Sequence, residues 1–321
     1  PGCWSQHRVS ACSGRLGHSN DVAETWSGPS QGVAVDVQQW SDRIGRLGVW
    51  APTDVLPVED ASALAVLLQD LGYGALWVPE TLGRDPFAHV ALLADRAQDL
   101  VFATGIANIH HRLPGPMLQA ASTLAEQTGG RFLLGIGVSH QPLVEGIRHV
   151  PYGKPLATMR AYLDGMDSSM YLAPAPTEPA PRLLAALGPM MLDLAAERAD
   201  GAHTYWVTPE HTAVARAALG PDKLLCVEHK VVLTDDPALA RTTAEGALGM
   251  YIDLPNYRNN WLRLGYTDEE IDGRASRFLD AVVAWGDADA LRSRVQEHLD
   301  AGADHVCIQA LTPGHALRPD H

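Results

Sequence analysis

The chain has 321 residues, and its 24 lysines and arginines stand against 38 aspartates and glutamates, giving a formal net charge of −14. A negative charge of this size repels nucleic-acid phosphates and anionic lipid surfaces, so we expect neither nucleic acid nor membrane as a partner. The hydrophobic fraction of 46% excludes disorder over most of the chain, and no apolar run is long enough for a transmembrane helix.

The two ends differ in composition from the rest of the chain. Residues 1–43 are predicted to be a poorly ordered N-terminal extension, and residues 313–321 a short polar tail. The spacing of Cys3, His7, Cys12 and His18 matches no standard zinc finger, so no metal is expected there. The four cysteines form no Cys-x-x-Cys pair, which favours a reduced, cytoplasmic protein.

Residues 44–312 alternate short apolar strands with amphipathic helices. The predicted strands cover 47–52, 75–80, 100–109, 131–138, 181–187, 202–207, 223–233 and 303–311. Strands that are apolar on both faces and separated by helices indicate a parallel sheet with helices outside it. Eight such units predict a (β/α)8 TIM barrel. A doubly wound open sheet is the alternative, but its Gly-x-Gly-x-x-Gly fingerprint is missing after the first strand.

Two connections are longer than ordinary loops. Residues 141–180 and 234–286 follow the fourth and seventh predicted strands and are expected to be insertions that form a lid or a partner surface.

In a barrel, the reactive groups lie where the strands end. The side chains at these positions are Trp50, Glu80, Asn108, His110, His111, Ser139, His140, Gly188, Tyr205, Trp206, Glu228, His229 and Gln309. None of the three lysines is predicted at a position suited to a Schiff base, which weakens an aldolase interpretation. A metal centre of three histidines and Glu80 lacks the His-x-His that should end the first strand, so no metal is predicted.

Two segments are suited to hold a ligand by their backbone. In 134–140, LGIGVSH, glycines at a strand end could let a flat ring approach the main chain. In 185–191, AALGPMM, a strand runs directly into a helix whose first N–H groups favour a phosphate. Together they indicate a planar cofactor that carries phosphate.

The motifs, in their order along residues 44–312, resemble the luciferase-like monooxygenase superfamily, and most of all its actinobacterial oxidoreductases that use the deazaflavin coenzyme F420. The resemblance implies cofactor contacts from Ala107, Asn108, Gly137, Val138, Ser139, His140, Leu187, Gly188, Pro189 and Met190. It places a bulge, often with a non-prolyl cis peptide, at Ala107-Asn108. It also implies that Glu80, His110 and His140 line the substrate pocket, and that a lid lies near Asn256–Tyr266.

The function that this resemblance implies is hydride transfer between a small organic substrate and F420. A histidine that titrates near neutrality would move the proton, with His140 the first candidate and His110 the second. An FMN-dependent monooxygenase and a non-catalytic flavin-binding barrel are the alternatives. The substrate is not indicated, and a homodimer is left open.

Relatives in this superfamily carry a closing helix after the eighth strand, and residues 313–321 cannot form one. We therefore expect the outer flank between the first and eighth strands to be covered by the segment Val33–Arg43 or by a partner subunit, or else to cause aggregation.

Overall fold

The computed structural model describes residues 35–315 and Leu317. Residues 1–34 of the predicted extension, and part of the predicted tail, lie outside the described residues. No helix of the described chain is both long and apolar enough to cross a lipid bilayer.

Parallel strands close into a barrel, which confirms the predicted fold class. The strands are β1 (Leu47–Trp50), β2 (Ala75–Val78), β3 (Val101–Thr104), β4 (Ala107–Asn108), β5 (Phe132–Gly137), β6 (Arg182–Ala185), β7 (Gly201–Thr204), β8 (Leu224–Leu233), β9 (Val283–Gly286) and β10 (His305–Ala310). Eight of them form the closed ring, in the order β1, β2, β3, β5, β6, β7, β8, β10 and back to β1. The short β4 pairs only with β5.

The described residues also form helices. They are α1 (Val37–Ile44), α2 (Val58–Asp70), α3 (Pro86–Arg96), α4 (Pro114–Gln127), α5 (Pro155–Asp167), α6 (Pro189–Arg198), α7 (Pro209–Leu219), α8 (Pro237–Leu248), α9 (Pro255–Arg263), α10 (Asp268–Asp272), α11 (Ser276–Val282) and α12 (Ala288–Asp300). Aspartates cap several of them; the Asp85 and Asp287 side chains, for example, accept from main-chain N–H groups of the first turns of α3 and α12.

Helix α1 closes the end of the barrel at which the strands begin. Its Trp40 and Ile44, one turn apart, are buried among interior side chains such as Leu133 and Leu224. The Arg43 guanidinium donates to the Gly130 carbonyl just before β5. The sequence analysis expected this segment to cover the outer flank between the first and eighth strands. The structure places its apolar face inside the barrel instead.

A buried histidine joins β10 to the start of the chain's first strand. His305 Nδ1 lies 2.7 Å from the Gly45 carbonyl, and the Trp77 indole N–H donates to its Nε2 over 3.1 Å. A Cβ on Gly48 would lie 2.5 Å from the same Nε2, so glycine is required opposite this ring. Burial lowers the pKa of His305 to about 4, which keeps the ring neutral.

The two long connections both contain helical segments, and α5 is the helix that links the neighbouring ring strands β5 and β6. Residues 141–180 contain a π-helical segment, Pro142–Ile147, and α5. Residues 234–286 contain α8 to α11, the 3-10 segment Gly249–Asp253 and β9, a strand that the sequence analysis missed. β9 pairs with the outer half of β8, from Lys230 to Leu233. Trp261 and Phe278 lie in a separate apolar cluster formed largely by these elements.

Candidate active site

Most of the predicted site residues meet at the carboxyl ends of the barrel strands. Tyr205, after β7, contacts the Trp50 ring at a centroid distance of 5.3 Å and donates its hydroxyl to Gln309 Oε1 over 3.1 Å. His229 does not join this group. Because successive residues of a strand point to opposite faces, its ring lies outside the barrel and contacts His298 Nε2 of α12 through Nδ1 over 3.0 Å.

The bulge predicted after β3 is present, two residues earlier than expected. The cis peptide bond joins Gly105 to Ile106, not Ala107 to Asn108. The Trp50 indole N–H donates to the Gly105 carbonyl over 2.9 Å. Ala107 and Asn108 form β4 and are fully buried. The sequence could not place the bulge because it depends on the pairing of separate strands.

The glycines of β5 serve this bulge. A Cβ on Gly137 would lie 2.9 Å from the Ile106 side chain and 3.0 Å from that of Ala185. The space beside Gly137 is therefore filled by protein atoms, and its lack of a side chain allows β5 to pack against the bulge. The approach of a cofactor ring to the main chain of this segment stays a prediction. The adjoining Val138 packs against the outer apolar core.

Glu80 holds the bulge in place. Its carboxylate accepts the Asn108 main-chain N–H over 2.7 Å and two N–H groups of Arg112, and it contacts His111 Nδ1 at 3.1 Å. The main-chain N–H of Glu80 also donates to the Ile106 carbonyl. The side chain is only 7% exposed. Both oxygens of the Glu80 carboxylate are thus engaged by groups of the bulge and of the segment that follows it.

His110 follows the bulge and keeps one nitrogen without a partner. Its Nε2 is buried and makes no hydrogen bond within the described residues, while its ring lies 5.6 Å from that of Tyr152. Tyr152 donates its hydroxyl to the Ser139 carbonyl. Ser139 has a left-handed φ of 57°, a strained conformation that is common in functional turns. The unpartnered nitrogen marks a place where a ligand atom could bond.

His140 lies beneath the insertion that follows β8. Its ring is 5.4 Å from that of Tyr257 and 6.5 Å from that of Tyr251, and it is hydrogen-bonded to the Asn256 side chain. Burial lowers the pKa of His140 to about 4, although the Asn256 hydrogen bond opposes this. The prediction of an imidazole that titrates near neutrality is therefore wrong for this structure. At neutral pH the ring is uncharged.

Tyrosines close the mouth of the barrel. Tyr251, from the 3-10 segment, and Tyr257, from α9, contact each other at 5.3 Å and lie 5.9 and 6.2 Å from the Tyr205 ring. The predicted lid around Asn256–Tyr266 thus does lie over the mouth. Tyr257 of this segment lies 5.4 Å from the His140 ring and 6.2 Å from the Tyr205 ring.

A buried ion pair lies under these rings. Lys230 Nζ is 2.9 and 3.0 Å from the two carboxylate oxygens of Glu228, and both side chains point into the barrel. The sequence analysis found no lysine at a position suited to a Schiff base, and it did not foresee that the Lys230 side chain points into the barrel. The alternation Cys226, Glu228, Lys230 along β8 could have revealed it, since Cys226 belongs to the barrel interior.

The first turn of α6 is open to solvent beside a guanidinium. No described side chain caps this helix at Gly188, and Pro189 occupies its first position. A Cβ on Gly188 would meet only Arg263, with Nη2 at 3.4 Å. Met190 is 67% exposed, and the Leu187 carbonyl is bonded to His211 Nε2. Arg263, at the end of α9, was not among the predicted site residues.

Known proteins with the same fold and related sequence place the chain in a family. Residues 44–305 match the family described as luciferase-like monooxygenase. A Mycobacterium tuberculosis protein provisionally named a coenzyme F420-dependent oxidoreductase is 24% identical in an alignment of 329 positions, gaps included, that covers 83% of this chain and 94% of the relative. A 5,10-methylenetetrahydromethanopterin reductase from Archaeoglobus fulgidus is 29% identical over 152 residues, 42% of this chain and 46% of the reductase.

Solved structures agree with this fold. An F420-dependent secondary alcohol dehydrogenase in complex with an F420-acetone adduct superimposes with a TM-score of 0.69 at 15% identity, covering 83% of this chain and 93% of that one. The FMN-bound oxygenating constituent of a Pseudomonas putida 3,6-diketocamphane monooxygenase gives 0.63 at 14% identity, covering 83% and 92%. Because the family match spans most of its length, the chain belongs to the luciferase-like monooxygenase family.

Proposed function

We propose that the protein is an F420-dependent oxidoreductase that transfers hydride between a small organic substrate and the deazaflavin. The observation that carries this proposal is the open first turn of α6, with Arg263 beside Gly188, next to the mouth of a luciferase-like barrel. Helix N-termini and arginines both bind phosphate, which the cofactor carries. The names of the mycobacterial relative and of the alcohol dehydrogenase favour F420 over FMN.

The residues at the mouth fit a flat ring system above the bulge. Trp50 and Glu80 hold the bulge from two sides, and the buried His110 Nε2 is free to bond a ligand atom. When bound, the deazaflavin supplies the hydride chemistry. The protein's own residues then bind and orient the ring and exclude water. The neutral His140 can accept a hydrogen bond or a proton but is not a proton donor at neutral pH.

We expect entry of a ring to require the tyrosines Tyr251 and Tyr257 to withdraw, because both pack against Tyr205 at the mouth in this structure. A titration with F420 and, separately, with FMN tests the proposal. Trp50 and Trp206 lie at the mouth, so quenching of tryptophan fluorescence reports binding. We expect saturable quenching by F420 and weaker quenching by FMN. Tighter binding of FMN would instead support the monooxygenase alternative, and no binding of either would support neither cofactor.

The phosphate site is tested separately by Gly188→Asp and Arg263→Ala. A carboxylate beside the anion, or loss of one charge-assisted contact, should weaken F420 binding by roughly tenfold to a hundredfold. Gly146→Asp is the matched control, since Gly146 is exposed and an added Cβ meets nothing within 4 Å. If Gly188→Asp and Arg263→Ala bind F420 with the same dissociation constant as the control Gly146→Asp, the phosphate binds at another place.

A further inference from the structure

A buried histidine is bonded to the turn that leads into α6. His211 belongs to the first turn of α7 and is 2% exposed. Its Nε2 lies 2.9 Å from the carbonyl oxygen of Leu187, the residue before Gly188. Because a carbonyl oxygen only accepts hydrogen bonds, Nε2 carries the proton and donates it. The other nitrogen, Nδ1, is buried and has no partner among the residues that the structure describes.

This hydrogen bond fixes the direction of one peptide unit. The bond between Leu187 and Gly188 is trans, so its carbonyl and its N–H point in opposite directions from one rigid plane. With the Leu187 carbonyl held on α7, the Gly188 N–H must point away from α7. There it meets no acceptor within the described chain, and the same is true of the Met190 N–H. These two groups are the main-chain donors of the proposed phosphate site, because Pro189 has no N–H.

The charge at this turn comes from Arg263 and not from the histidine. Arg263 Nη2 would lie 3.4 Å from a Cβ on Gly188, and the guanidinium makes no hydrogen bond or ion pair within the described residues. Burial lowers the pKa of His211; the hydrogen bond to Leu187 opposes this, and the charge of Arg263 adds to it. The ring is therefore neutral at pH 7. It contributes a fixed direction of the backbone rather than attraction for an anion.

We propose that His211 is a positioning residue of the phosphate site, which holds the Gly188 N–H toward the phosphate of the cofactor and so selects ligands that carry this group. The inference rests on the proposed function and adds to it a residue that acts only through the peptide unit it bonds. Loss of the hydrogen bond should weaken the binding of a ligand with phosphate and leave the binding of the same ligand without phosphate unchanged. A residue that only stabilised the fold would affect both ligands alike.

The probes are F420, the 5′-phosphate of its deazaflavin riboside, and the riboside itself, each titrated by quenching of tryptophan fluorescence. The ratio of the dissociation constants of the riboside and its 5′-phosphate measures the contribution of the phosphate. Because both constants are measured on one preparation, the fraction of unfolded protein cancels from the ratio. We expect the wild-type protein to bind the 5′-phosphate and F420 more tightly than the riboside. Equal dissociation constants for the riboside and its 5′-phosphate would overturn the inference, since the turn would then hold no phosphate.

Variants of His211 separate the hydrogen bond from the space that the ring fills. His211→Phe keeps a ring without a donor, and His211→Asn carries an amide too short to reach Leu187. Both should lower the ratio by about tenfold, the loss of one contact to a charged group. His211→Gln places an amide N–H near the position of Nε2 and should restore most of the ratio.

His89→Phe is the matched control. His89 lies in α3, is 4% exposed, contacts Thr53 through Nε2 and also has its Nδ1 without a partner within the described residues. This variant should leave the ratio unchanged. An unchanged ratio in His211→Phe and His211→Asn, or a loss that His89→Phe reproduces, would contradict the inference.

The same titrations distinguish this inference from the proposed function. If no deazaflavin binds but FMN does, the proposed function alone fails, and FMN with riboflavin supplies the ratio for the same variants, with the same expectations. Binding of neither kind of flavin would overturn both the proposed function and the role of His211.

Discussion

Glu80→Gln separates a positioning role from a catalytic one. The carboxylate holds the Asn108 main-chain N–H and Arg112, and its side chain is only 7% exposed. Breaking a buried pair by removing one partner costs about 3–5 kcal/mol. Arg112 keeps a second partner, Asp85, whose side chain is 51% exposed. We therefore expect a loss at or just below the lower end of that range, about 2–3 kcal/mol, which corresponds to a fall in melting temperature of roughly 5–10 °C.

The same substitution should weaken F420 binding, because the bulge under the ring loses its anchor. Thermal unfolding and the fluorescence titration measure the two effects. Glu197→Gln is the matched control, since Glu197 makes a two-oxygen pair with Arg160 but is 54% exposed. If Glu80→Gln matches Glu197→Gln in both melting temperature and dissociation constant, the positioning role is refuted.

Three further predictions follow from buried rings. Trp40→Ala should lower the free energy of unfolding by about 3–5 kcal/mol in urea titrations, whereas substitution of the exposed Gln39 by alanine should not. Equal urea midpoints for the two variants would contradict the packing of α1 into the core. His203 and His298 have pKa values lowered by burial to about 3, and His305 to about 4, so the unfolded chain binds protons more readily below pH 6.5 or so. The free energy of unfolding is therefore unchanged above that pH and should be lower by roughly 2 kcal/mol per histidine at pH 5. The His298→Gln variant should lose less stability between neutral pH and pH 5, which thermal melts at these two pH values measure. Because His140 is uncharged at neutral pH, His140→Ala should leave the pH dependence of F420 binding near neutrality unchanged; loss of a titration there would contradict the low pKa.

The barrel could be predicted because its strands carry their signal locally. Strands such as β2, residues 75–78, are buried on both faces, and a strand of this kind can be predicted from a continuous apolar sequence. β9 gave no such signal. It begins at Val283, immediately after α11 ends at Val282, with no glycine or proline to separate the two elements. Its strand conformation comes from pairing with β8, which is a tertiary contact.

The sequence predicted which residues lie near the candidate site better than it predicted what each of them does there. Glu80 and His140 do lie near the mouth, because residues at the ends of parallel strands meet there. Their roles depend on partners far along the chain. Tyr251 and Tyr257 contact His140, whose pKa burial lowers, and Arg112 occupies the Glu80 carboxylate. Arg263 lies beside Gly188 only because α9 folds back over the barrel.

The hydrogen bonds of His305 also bear on how the chain folds. They join residues 260 and 228 positions apart, to Gly45 and to Trp77. Contacts between residues so far apart in sequence form slowly and late, because the chain must lose the entropy of a long loop before the contacts stabilise it. Until β10 is available, β1 has an unpaired edge, and Gly48 has no imidazole beside it. Synthesis on the ribosome therefore leaves an open, apolar strand edge exposed until almost the whole barrel has been made, a stage at which binding by chaperones would compete with aggregation.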